Sequence, residues 1–97
     1  MPVVKLTRWS PEKSLWLKAE RGVSFEEIVA AVSQGGLIAV VDHPRKARYE
    51  HQKIMVVRIR DYAYLVPYVE SENEIFLKSI IPSRKATRDF LPGAKRT

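Results

Sequence analysis

Cysteine is absent from the 97 residues, and with it go disulfide frameworks, thiolate metal sites and thiol nucleophiles. Histidine is scarce. His43 and His51 stand eight apart without a tight carboxylate cluster, which is not a ligand spacing that supports metal catalysis, so no metal or other cofactor is expected. Four glycines do not assemble a phosphate-cradling loop, and no serine sits in a nucleophile-elbow context. Long hydrophobic runs are missing too: no segment approaches the ~20 apolar residues that span a bilayer, and the first residues lack the apolar stretch of a signal peptide. Neither long helix predicted below is basic along one face opposite a large apolar one, as membrane-surface binding requires. The expectation is a soluble, cytoplasmic protein with no membrane partner. Acids are the minority charge, 11 against 17 Lys and Arg, and the net charge of +6 favours a polyanion or an acidic protein as partner. The length suits a single domain over residues 1–91, with 92–97 a basic, disordered tail.

Ser10-Pro11-Glu12 is a helix start, with a capping serine, proline at the tolerated first position and an acid beside the positive helix end. That helix is predicted to reach Arg21, stop at Gly22, and bury a narrow stripe of Leu15, Trp16 and Ala19 with Lys13 and Lys18 towards solvent. Ser24 and Glu27 form a capping box for a second helix, along which Phe25, Ile28, Val29 and Val32 recur at helical spacing until Gly35-Gly36. From Leu37 the pattern turns β-rich, with strands predicted at 37–41, 53–60, 62–69 and 74–81 and the last three forming an antiparallel meander. A short helix then runs from Ser83 to about Phe90. The expected fold is α+β: two N-terminal helices packed on a four-stranded, mainly antiparallel sheet, with a short C-terminal helix.

Two regions concentrate cations. The polar connection 42–52 carries Arg45, Lys46 and Arg48, with Lys53 beginning the next strand, and Lys78, Arg84, Lys85 and Arg88 lie on the last strand and helix. Arg84 and Lys85 fall in a first helical turn, where the helix dipole repels cations and an anion would reverse the penalty. Brought together by the sheet, the two groups would line a cleft suited to phosphodiesters. Cleaving RNA needs a base for the 2'-hydroxyl proton, cations for the dianionic transition state and a proton donor for the leaving oxygen. His51 is the candidate base or acid, since imidazole titrates near neutrality, and it reads equally as an exposed loop histidine. Arg84 is the candidate transition-state stabiliser, with Lys78 beside it. Tyr49 is either a proton donor, a base-stacking ring or a cap on the sheet edge. Glu50 is an auxiliary base or an ion-pair partner of Arg48 or Lys53. Tyr62, Tyr64 and Tyr68 alternate along one strand and read as a row covering core or a protein interface rather than a stacking platform.

Three blocks, W-S-P-E-K at 9–13, E-R-G-V-S-F-E-E at 20–27 and I-I-P-S-R-K-A-T-R at 80–88, resemble in order and spacing the BrnT-like toxins of bacterial toxin-antitoxin pairs, small relatives of the RelE superfamily. The likeness covers nearly the whole chain. It implies a ribonuclease-type toxin fold made alongside a neutralising antitoxin, commonly of the ribbon-helix-helix type; with the loop and helix cations, the expectation is a metal-independent endoribonuclease that cleaves mRNA and inhibits growth, in a hetero-oligomer with that antitoxin. It also implies functional roles for Lys78, Arg84 and Lys85, with His51 and Lys53 near the start of the second strand. The central loop, D-H-P-R-K-A-R-Y-E-H-Q-K, departs from the family's usual acid-rich connection. The alternative is a non-catalytic module that binds nucleic acid or an antitoxin or repressor.

Overall fold

The computed structural model describes residues 6–45, 47, 48 and 52–91; Lys46, Tyr49, Glu50, His51 and the 92–97 tail lie outside them. The elements run β1 (Leu6–Arg8), α1 (Pro11–Arg21), α2 (Phe25–Ser33), β2 (Leu37–Asp42), β3 (Gln52–Ile59), β4 (Tyr62–Glu70), β5 (Glu74–Leu77), β6 (Ile81–Pro82) and α3 (Arg84–Phe90). The fold is α+β with a mainly antiparallel sheet, as expected, although the sheet has six strands rather than four. Its order is β1-β5-β4-β3-β2, with β6 paired to β4 and β1 parallel to β5.

The serine caps act as their sequence contexts suggest. Ser10, Ser24 and Ser83 accept from the backbone N–H groups of Lys13, Glu27 and Ala86, and Glu27 closes its box by accepting from Ser24 N–H. Gly22 takes the left-handed conformation at φ 80° that ends α1. Gly36 is required for a different reason. A Cβ there would lie 2.7 Å from Ala31 O and 2.8 Å from Arg58 O, so only glycine lets the chain pass between the end of α2 and β3.

α1 departs from its predicted stripe. Leu15 and Trp16 are 74% and 51% exposed, and Ala19 is exposed as well, while Ser14 and Leu17 are buried. The Ser14 hydroxyl accepts from Phe25 N–H and donates to Glu26 Oε1, so it takes the interior position at the α1–α2 corner. Trp16 instead lies beside Arg21, whose guanidinium carbon sits 5.6 Å from the ring centroid.

The predicted strand over 74–81 is also broken. Between Leu77↔Tyr68 and Ile81↔Leu65 the chain advances four residues against three on β4, a one-residue bulge separating β5 from β6. Ile80 turns its side chain fully into the core, and Arg21 of α1 donates to its carbonyl at 2.6 Å.

Alternation along the strands sorts side chains between two faces. On one, Val57, Val66, Tyr68 and Leu77 pack with Leu17, Phe25 and Ile28 of the two N-terminal helices. On the other, Val56 and Ala63 pack with Ala86, with Leu65 and Leu91 against them. Tyr64 and Tyr68 belong to the first face, which is core, as the tyrosine row suggested.

Candidate nucleic-acid interface

Thr87 fixes α3 to the sheet. Its hydroxyl accepts from Ala63 N–H and donates to Ser83 O, both at 2.8 Å, and Ser83 N–H donates to Ala63 O at 3.1 Å. The helix is thereby held near the β3–β4 turn, with Leu91 at its far end packed against the same cluster of Val56, Ala63 and Ala86 as Ile38 and Ala39. Arg84, Lys85 and Arg88 are exposed on it. Arg88 Nε lies 3.4 Å from Asp89, whereas Arg84 and Lys85 make no ion pair among the described residues.

α3 covers only part of its face. Register places Val41 with Ile54, Ile54 with Pro67, and Val69 with Phe76 on the same side as Val56 and Leu65. Phe76 and Val41 are 38% and 39% exposed, and Ile54, Pro67 and Val69 are half-buried. Cations border this apolar area. Lys78 Nζ stands 5.7 Å from the Phe76 ring centroid, Arg8 is beside Phe76 in the register and pairs with Glu74 at 3.3 Å, and Arg58 opposite Ala63 pairs with Asp61 at 3.1 Å. Lys78 and the α3 cations thus share one side of the sheet.

The loop cations are placed differently. Arg45 and Arg48 are exposed in turns after β2, where Arg45 N–H donates to His43 Nδ1 and Arg48 N–H to Arg45 O. Lys53 is opposite Tyr68, so its side chain is on the face covered by α1 and α2, and it pairs with Glu70 at 3.8 Å. Lys53 and Arg58 are five residues apart on β3, about 17 Å at the usual strand rise. The loop therefore leaves the sheet at the end away from the β3–β4 turn that holds Ser83. Its described cations do not join those of α3 in one constellation; they stand at opposite ends of the β2–β3–β4 sheet. The positions of Lys46, Tyr49 and His51 are outside the described residues.

Arg8, Arg58 and Phe76 were missed as members of this face. For Arg58 the signal was present in the alternation of 54, 56 and 58; for Arg8 and Phe76 it depends on the β1–β5 pairing, which no local pattern reveals.

Glu26 is held below the ordinary carboxylate range chiefly by the Ser14 hydroxyl, and Glu27 chiefly by Lys18, 2.8 Å away. Burial, assisted by the Glu70 charge, pushes the Tyr68 phenol up, which keeps it neutral. All three belong to the α1/α2 side. Among the described residues no group of three or more His, Asp or Glu could hold a metal, and no helix is long and apolar enough to cross a membrane.

No family model, curated protein or solved structure matches the chain.

Proposed function

We propose that this chain is a ribonuclease toxin of a toxin-antitoxin pair, cleaving RNA without a metal and binding it along the sheet face that carries α3. The observation supporting this reading is that Lys78, Arg84 and Lys85 are spread along one side of the sheet, the side opposite α1 and α2, with no ion pair among the described residues. An RNA strand brings phosphates to these cations and gains electrostatic attraction that no carboxylate among the described residues already satisfies. Arg84 and Lys85 are assigned phosphate contacts along the bound strand, and Lys78, whose N–H donates to Pro67 O opposite Ile54 and which therefore lies towards the loop end of the sheet, is assigned the developing charge of the transition state. His51 and Tyr49 are assigned the proton transfers on chemical grounds: one takes the 2'-hydroxyl proton, the other gives a proton to the leaving 5'-oxygen, and a 2',3'-cyclic phosphate is left. A cytoplasmic location and a cognate antitoxin of the ribbon-helix-helix type, one segment of which covers this face, complete the reading.

Purified protein incubated with RNA in excess chelator is expected to cut it. His51→Ala and Lys78→Ala are expected to abolish cutting, and Arg84→Ala to weaken it through lost binding, while preserving the circular dichroism spectrum and melting temperature. Intact RNA with the unmodified protein would reject the nuclease reading.

The apolar surface between the cations favours one alternative. Ile54, Pro67, Val69 and Phe76 offer little to a phosphate chain but would receive the apolar side of an acidic protein segment. On that reading the chain is a non-catalytic binding module. Uncut RNA bound with steep salt dependence would support a nucleic-acid module; no RNA affinity, together with tight binding to the protein encoded by the adjacent gene, would support a protein-binding one.

A further inference from the structure

The outer edge of the sheet at β2 carries a feature that the RNA reading does not use. β2 pairs with β3 on one side and has no strand on the other among the described residues. Exposed strand edges invite pairing, and proteins usually guard them with charge, proline, shortness or a bulge. The opposite edge is guarded in this way: β1, three residues among the described ones, ends in Arg8, which is paired with Glu74. β2 has six residues, Leu-Ile-Ala-Val-Val-Asp, with no proline and no charge before Asp42. Its one irregularity lies between Leu37 and Ala39, leaving the remainder regular.

Large exposed apolar side chains also gather here. Of nine such residues among the described ones, Leu37, Val40 and Val41 are on β2. On the α2 side a cavity of about 330 Å³ opens next to the strand, with Val29, Val32, Leu37, Val40 and Met55 in its lining. The apolar edge thus continues into a recess able to receive side chains from an added strand.

We infer that β2 is a self-association edge, pairing antiparallel with β2 of a second copy across a two-fold axis to continue the sheet through a dimer. Charge selects this occupant. An acidic partner would gain most at the cationic α3 face and least here, where the only charge on the strand is Asp42. Two chains of net charge +6 repel, so contact through a strand that carries no cation of its own is favoured, with the Arg45 and Arg48 turns left beyond its end. A neutral, apolar strand is what this edge accepts, and β2 is itself such a strand. Antiparallel two-fold pairing is isologous, bringing the middle of the strand against its own copy. Added strands hydrogen-bond through the main chain while side chains such as Val40 on one face and Val41 on the other supply apolar burial.

Sedimentation of the intact chain over a micromolar concentration series is expected to show a mass rising from 11.2 kDa towards twice that value. Val40→Lys, at a position 47% exposed in the single chain, is expected to weaken the dimer at least about tenfold, ~1.4 kcal/mol, with an unchanged melting temperature for the monomer. Phe76→Lys on the α3 face is expected to leave the mass distribution unchanged. Because the chain has no cysteine, a second measurement does not depend on charge: oxidised Val40→Cys or Val41→Cys should form a disulfide-linked dimer, while Phe76→Cys should not. A monomer at every concentration overturns the inference and leaves the edge to a strand of another protein. A dimer insensitive to Val40→Lys, or one lost with Phe76→Lys alone, overturns it equally. None of these outcomes depends on whether RNA is cut.

Discussion

Thr87 is the smallest part whose loss should be felt furthest away. It is 1% exposed, and its hydroxyl is the acceptor for the buried Ala63 N–H as well as a donor to Ser83 O. Thr87→Val keeps the shape but leaves that N–H without its partner, so a loss of about 1–3 kcal/mol is expected in a denaturant titration. Serine at the same position should recover most of it, since only the hydroxyl matters to this bond. The acid response belongs to two other residues. Glu26 and Glu27 have carboxyls held below the ordinary value of 4.5, so the stability they contribute is fully present above that value and is lost as pH falls through their folded-state values. Melting temperature should therefore decline on acidification from about that ordinary value downward, and Glu27→Gln should flatten part of the decline. A variant with the same acid profile as the parent would show that the Lys18–Glu27 pair does not contribute.

Among the elements, the bulge that separates β5 from β6 has the clearest energetic test. Ile80 is fully buried with Leu17, Phe25 and Leu77, at the place where the chain leaves the β5 register. Ile80→Ala should cost about 2–5 kcal/mol, and the cost should appear in the equilibrium unfolding of the whole domain because the side chain is shared by α1, α2 and the sheet. The caps at Ser10, Ser24 and Ser83 and the hairpin of β3 and β4 were legible in the sequence because each is decided within a few residues: a hydroxyl and the N–H three positions on, or alternation around Arg60-Asp61. β1 and β6, with three and two residues, are too short for any period to reveal; they are strands only because distant residues pair with them. The face of α1 was misread for a related reason. Hydropathy favours Leu15 and Trp16, but the interior position goes to Ser14 because a backbone N–H from the next helix needs its hydroxyl there.

For the whole molecule, the question is which cations act together. Sequence alone could group Lys53 with Lys78 and Arg84, since nothing local says which face of a strand is open; the register separates them, putting Lys53 with Tyr68 and Glu70 on the α1/α2 side and Lys78 beside Phe76 on the α3 side. This separation predicts unequal roles in RNA binding. Each phosphate contact on a single strand contributes about 0.7 to the slope of log affinity against log salt. Lys78→Ala and Arg84→Ala should therefore each reduce the slope by about that amount and weaken binding of a non-cleavable RNA independently of its sequence. Lys53→Ala should leave the slope unchanged, because its charge is already paired with Glu70 and faces the other way. Fluorescence anisotropy over a salt series distinguishes these outcomes. Equal losses from Lys53→Ala and Arg84→Ala would mean that the strand does not follow the α3 face, and would move the RNA path to the end of the sheet where β2 and β3 meet the central loop.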